Sequence, residues 1–355
     1  MEFGLSSEQT LLQDTVNRFL DEQAPLATVR QIAAAEIDDG AIWKGLVELG
    51  IPALLIPEHM GGVGLGSLDA AIVAESLGYH ATPAPFLGTA VMAPLAFIQS
   101  GQQEALLGAM AQGDYRVGIA FGEAIGARND AGTQFSSGKL TGKAIFALDA
   151  AADGYLVATR EKHLYFVEAT AKGFSRRLLT TVDKTRTTVE LVFDGVVAEL
   201  VSQDPGVFNQ VLDAGRVMQA ADTLGAAQYA LDQAVDYAKQ RKQFERVIGS
   251  FQAVKHMCAE MAASLEPCRS LVWYAGHALD HMPDESRVTA CHAKAHLAEV
   301  GRFVAKTATE VHGGMGFTDL VGLHYWFKRI GANRQLLGSP ELVREEAARL
   351  QGMVA

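Results

Sequence analysis

Cysteine is scarce in this chain of 355 residues, which holds only Cys258, Cys268 and Cys291. The three stand at helix-like spacing among apolar neighbours and form no Cys-x-x-Cys pair. That excludes a disulfide framework and a thiolate zinc site, and it predicts free, buried thiols in a reducing compartment. Long hydrophobic runs are also missing. The most apolar stretch, residues 83–98, is interrupted by three prolines and a glycine and is shorter than the roughly 20 residues that cross a bilayer. Residues 1–9 show no basic segment followed by an apolar one, so no secretory signal is read there. The expectation is a soluble cytoplasmic protein with no membrane partner. Positive charge is in deficit as well, with 30 Lys and Arg against 41 Asp and Glu and a net charge of −11. This balance argues against nucleic acid as a partner, because a broad phosphate-binding surface needs clustered cations. Small anionic ligands still have access to local basic pockets.

The residues present are ordinary globular material, 49% apolar and 20% charged, and the chain is long enough for two or three domains around a large core. Residues 1–114 read as a helical domain. Ser7 is positioned to cap a helix carrying Leu11, Leu12, Val16, Phe19 and Leu20. Ile42, Trp43, Leu46 and Leu49 form a second cluster, closed by Gly50 in the C′ place. Residues 57–64 are glycine-rich but lack the Lys-Ser/Thr ending of a phosphate loop, and they read as a tight turn. Residues 115–203 switch to short β-prone runs separated by Gly, Asp, Asn and Lys turns, which predicts a small antiparallel barrel or sandwich. Over residues 204–355 the helical period returns. Leu224, Ala227, Leu231, Ala234 and Ala238 share one stripe, and Val254, Met257, Met261, Leu265, Cys268 and Val272 share another. Such stripes pack as an antiparallel four-helix bundle, with a kink expected at Pro267. The fold class expected is mainly α with an inserted β domain.

Two motifs in the C-terminal half carry chemistry. The first is Arg241-Lys-Gln-Phe244-Glu-Arg-Val-Ile248-Gly-Ser250-Phe251-Gln252, and the second is Glu310-Val-His312-Gly313-Gly314-Met-Gly-Phe317. Taken alone, the first is a helix end, a turn and the start of a helix capped by Ser250, with Phe244 and Phe251 as core; the second is a helix cap and turn. Two other clusters read as structural. His292 and His296 lie four residues apart but lack the His-Glu-x-x-His pattern and a third ligand, so no metal is assigned. Lys328, Arg329 and Arg334 read as a solvated or bundle-end cluster rather than a dedicated site.

In their order and separation the two motifs resemble the acyl-CoA dehydrogenase family. The resemblance implies FAD bound between subunits, an acyl-CoA substrate, and an α,β-desaturation of the thioester. It implies that Arg241 contacts the FAD pyrophosphate, Phe244 packs near the adenosine and Gln252 touches a neighbour's cofactor. Glu310, His312, Gly313 and Gly314 would line the same site. A guanidinium suits that role, since it pairs two phosphate oxygens and stays charged. One departure is Glu245, where the family commonly has Gly.

The same resemblance exposes an absence. Taking the α-proton needs a carboxylate, yet counting along the family pattern brings its two known places to Leu337 and Gly215. Glu341 is the fallback. On the β side, Ala144-Ile-Phe-Ala-Leu148 has no hydroxyl for the isoalloxazine, and residues 122–130 lack the family's Thr and Gly-Ser. This inventory resembles one subunit of the heteromeric enzymes of bacterial steroid or related acid degradation, in which unlike subunits share each flavin. It implies a heterotetramer with an unlike dehydrogenase subunit, or else a homo-oligomer. A flavin-dependent oxygenase of the same superfamily, or a structural partner without FAD, are the alternative readings.

Overall fold

The computed structural model describes residues 4–36, 38–126 and 132–354. The N-terminal helices are α1 (Ser7–Gln23), α2 (Leu26–Ala33), α3 (Gly40–Glu48), α4 (Ser67–Tyr79), α5 (Ala93–Ser100) and α6 (Glu104–Ala111). The cap of α1 is Ser6, one residue before the one expected. Ser6 Oγ accepts from the Gln9 amide at 3.2 Å while Gln9 Oε1 accepts from the Ser6 amide at 3.0 Å, a reciprocal pairing that Ser7 is too far along the chain to make. Gly50 follows α3 with φ 76, as a C′ glycine should.

Eight strands come next: β1 (Val117–Ala120), β2 (Thr133–Ser136), β3 (Lys139–Leu148), β4 (Gly154–Ala158), β5 (Leu164–Glu168), β6 (Phe174–Leu178), β7 (Thr188–Val197) and β8 (Glu199–Ser202). They form one sheet in the order β6-β7-β3-β1-β4-β5-β8, with β2 beside β3. Pairing is antiparallel except between β1 and β4, which run parallel, so the expectation of a purely antiparallel unit is corrected there. The sheet curls on itself. Phe135 of β2 stacks on Tyr165 of β5 with ring centroids 4.2 Å apart, and Tyr155 of β4 meets Phe174 of β6 at 5.6 Å, although these strands are far apart in the order. Strand alternation then gives two faces. Leu140, Tyr155, Val157, Leu191 and Phe193 fill an inner core, while Val117, Ile119, Leu156 and Phe166 join the helical core.

The C-terminal part holds α7 (Pro205–Gln240), a hairpin of β9 (Lys242–Gln243) and β10 (Arg246–Val247), then α8 (Gln252–His281), α9 (Pro283–His312), α10 (His324–Gln335) and α11 (Pro340–Leu350). Asp204 caps α7 by accepting from the Gly206 amide at 2.7 Å. From Val211 to Ala227 that helix is buried on every side, the mark of a central helix. Two glycines let α4 cross it closely. A Cβ on Gly225 would lie 1.8 Å from the Glu75 carbonyl oxygen, and one on Gly78 would lie 2.0 Å from that of Asp222. α8 continues unbroken through Pro267. Because α7, α8 and α9 pass up, down and up, the end of α7, the hairpin, the start of α8 and the end of α9 share one end of the bundle. Among the described residues no helix is long and apolar enough to cross a membrane.

Candidate functional site

That end of the bundle collects the motif residues. Arg241 closes α7 and is exposed; its carbonyl oxygen accepts from the Ile248 amide at 2.8 Å and pins the hairpin base. Phe244 and Glu245 take the two central turn positions at φ 53 and 63, the backbone that a two-residue hairpin turn demands. Phe244 is 85% exposed, which corrects its reading as core. Ser250 does not cap α8: its hydroxyl donates to the Val247 carbonyl at 2.7 Å. The cap position belongs to Phe251, which makes no side-chain cap bond. The first turn of α8 therefore has no side-chain cap, and a helix start left open in this way favours an anion. Gln252 opens α8 on the surface, with its amide 2.9 Å from His256.

The end of α9 completes this face. Glu310 is exposed and pairs with Lys306 at 3.6 Å. Gly313 and Gly314 are exposed, and a Cβ on either would meet nothing within 4 Å, so the backbone there is open to close approach. His312 lies beneath the others. Its Nδ1 is 2.8 Å from the Ala308 carbonyl and its ring stacks on Tyr237 at 4.6 Å. Burial holds its pKa below the usual imidazole value. Tyr237 is one turn before Arg241, so this stack is a strut between the ends of α7 and α9.

Leu337 and Gly215 converge at a second place. A Cβ on Gly215 would lie 2.7 Å from Leu337 Cδ1 and 2.7 Å from Met92 Sδ. Leu337 is 2% exposed and stands at φ 60. Arg216, 1% exposed, holds it from below: Nε donates to the Leu337 carbonyl at 3.1 Å while Nη2 meets Glu346 at 2.8 Å. The two positions counted from sequence are thus one apolar contact. Glu341 does not enter it. It is exposed and bound to Arg334 at 2.8 Å, and its carboxyl sits below the usual range because its own backbone amide, Ser339 and Arg334 hydrogen-bond to it. Asp213, Cys291 and Glu346 bring ligand atoms within 4.8 Å of one another, but Arg216 and Arg287 already supply the positive charge there.

Family models for the acyl-CoA dehydrogenase N-terminal domain and C-terminal domain match residues 6–114 and 206–351. The acyl-CoA dehydrogenase IpdE2 of Mycobacterium tuberculosis is 32% identical, over 98% of this chain and 97% of that protein. The chain belongs to the acyl-CoA dehydrogenase family. A solved variant of the Tcur3481-Tcur3483 steroid ACAD is similar at a TM-score of 0.88 and 28% identity, covering 97% of this chain and 98% of that one. The ChsE4-ChsE5 complex of M. tuberculosis shares the fold at 0.87 and 23% identity, with each chain wholly covered.

The family is one of FAD-dependent flavoproteins. The residues at the bundle end are of a kind that fits a dinucleotide: Arg241, Gly313 and Gly314 are exposed and the start of α8 has no side-chain cap. Phe146 sits half exposed at φ 59 in a bulge of β3, no hydroxyl stands between Ala144 and Leu148, and residues 127–130 lie outside the described residues.

This family member also holds a buried network that the sequence reading missed. Arg329 is 2% exposed rather than solvated. It binds Asp222 at 2.6 Å, the Thr82 carbonyl at 3.0 Å and Thr185 at 3.0 Å. Arg186, from the loop before β7, reaches the same carboxylate at 2.7 Å and also meets Asn333. Burial pushes the Asp222 carboxyl up, but the two guanidinium groups outweigh it and hold the pKa far below the usual range. The signal was legible: Asp213, Arg216, Gln219 and Asp222 recur every three residues through an otherwise apolar helix. Beside the network lies a cavity of about 610 Å³ lined by residues of α4, segment 82–88, β1 and α7.

Proposed function

We propose that this chain is a subunit of an FAD-linked acyl-CoA dehydrogenase acting in the α,β-desaturation of a CoA thioester, that it lends its bundle end to the flavin of a neighbouring subunit, and that the neighbour removes the proton. The observation that carries the proposal is the contact of Leu337, Gly215 and Met92, because an alkyl side chain, a glycine and a thioether offer no base for the α-proton. The flavin, when bound, takes up the β-hydride. Arg241 pairs with pyrophosphate oxygens, with the α8 amides behind it. Phe244 offers an apolar plane, and Gln252, Glu310, Gly313 and Gly314 border the dinucleotide, while His312 braces the ledge. The solved relative at 28% identity, a steroid ACAD named for two components, supports a partner that is an unlike chain.

Native mass spectrometry after co-expression with an unlike dehydrogenase subunit tests this reading. One FAD per unlike pair is expected, with a colourless preparation when this chain is purified alone. One FAD per chain in a homo-oligomer that acyl-CoA bleaches overturns it. Arg241→Ala should lower the activity of the reconstituted complex at least about tenfold, the worth of a charge-assisted phosphate contact; unchanged activity would remove Arg241 from the site.

A further inference from the structure

We propose that a small pocket between the loop before β7 and the start of α10 is a binding site for hydrogen phosphate, held by Lys184 and Lys328 and recognised by His324. The pocket has a volume of about 190 Å³ and is lined by Val182, Lys184, Asp319, His324, Tyr325 and Lys328. That is room for about six waters, below the roughly 300 Å³ at which sites for larger organic ligands begin. A small oxyanion fits it and a dinucleotide does not.

Charge sets the sign of the ligand. Asp319 is the one acid on the wall, and its neighbours already engage it: His324 Nε2 lies 2.9 Å from the carboxylate, Arg30 Nε lies 3.8 Å from it, and the Tyr325 hydroxyl bonds to it as well. Lys184 and Lys328 have no such partner. Neither makes an ion pair among the described residues, although the chain carries a net charge of −11. Two ammonium groups on one small volume, with the only carboxylate neutralised by others, favour an anion there. His324 and Tyr325 stand in the first turn of α10, which no side chain caps, so the positive end of the helix dipole adds to the same preference.

His324 selects among anions. A carboxylate only accepts, so Nε2 carries the proton that Asp319 receives, and Nδ1 of the neutral ring is left as an acceptor. Nδ1 is buried and has no hydrogen-bond partner among the described residues. Buried polar atoms are met by something, water or ligand. Hydrogen phosphate brings negative oxygens to the lysines and one O–H to Nδ1. Sulfate and a phosphate monoester dianion bring the oxygens alone. None of the six lining residues belongs to either C-terminal motif, so this inference stands whichever subunit holds the flavin.

Titration calorimetry of the full chain with inorganic phosphate tests it, at fixed ionic strength in chloride and at pH 8, where imidazole is ordinarily neutral. Wild type and Arg241→Ala are both titrated, so that phosphate taken up at the bundle end is told apart. Saturable binding of one phosphate that survives Arg241→Ala is expected, with sulfate and methyl phosphate weaker by about threefold or more, the span of one neutral hydrogen bond. Lys184→Gln and Lys328→Gln should each weaken phosphate by about threefold, and Lys184→Arg, which keeps the charge, should retain it. His324→Phe should abolish the preference for phosphate over sulfate. Circular dichroism melts report whether each variant is folded. The inference is overturned if no saturable binding survives Arg241→Ala, if sulfate binds as well as phosphate, if the folded glutamine variants bind phosphate as wild type does, or if folded His324→Phe keeps the preference. Such a failure leaves the count of FAD per unlike pair, and with it the subunit assignment, untouched.

Discussion

At position 337 a leucine occupies left-handed backbone, φ 60, against its steric preference. It stays there because Arg216 fixes its carbonyl and Gly215 leaves room for its side chain. Putting a carboxylate in that place is therefore costly. Leu337→Glu would bury an acid among Met92 and the α7 backbone, and burial raises a carboxyl pKa by up to roughly 3 units. A folded pKa above the unfolded one means that stability is fully present at acid pH and is lost as pH rises through the folded value. The urea midpoint of the variant should fall further below wild type between pH 4 and pH 7; a constant gap would show that Arg216 neutralises the new charge. Counting along the motifs found Leu337 and Gly215 as empty positions. It did not find Met92 or the clasp of Arg216, because contacts made across 120 residues leave no local spacing to read.

Helix α7 packs against α9 and α10. Its apolar stripes were visible in sequence, and so were the curled sheet's strands and the long helices after it, because period two and period 3.6 are local signals. The one parallel pair in the sheet, β1 with β4, was not visible, since strand order is decided by packing. Nor was the role of Lys294 on α9. This side chain is buried and donates to the Asn333 carbonyl, in the last turn of α10, where the chain's departure at Leu337 leaves an acceptor open. Burial, then Arg216, Arg186 and Arg334, pull its pKa down to about 7. A depressed folded pKa places its stability contribution above the unfolded value, and that contribution is lost as pH falls toward 7. Wild type should therefore gain stability between pH 7 and pH 10 relative to Lys294→Met, measured as the difference in urea midpoints. Parallel curves for the two proteins would mean that Lys294 is not neutralised in the fold.

Across the whole molecule, one carboxylate joins everything. Asp222 of α7 binds Arg186 from the strand region and Arg329 from α10, and Arg329 in turn holds the Thr82 carbonyl of the N-terminal segment. Removing the negative charge with Asp222→Asn leaves two buried guanidinium groups facing each other, a loss of about 3 to 5 kcal/mol at pH 7. Its pKa is depressed in the fold, so wild-type advantage is present above the ordinary value of 3.8 and fades as pH falls below it. Denaturation curves of the two proteins should converge in acid; a gap that persists at low pH would assign the loss to packing. The same junction sets a condition on exchange of parts between relatives. A strand region transplanted from another member works on this scaffold only if it carries a cation in the place of Arg186, and a donor lacking one must be matched by a recipient recut at Asp222, so the two residues travel as a unit.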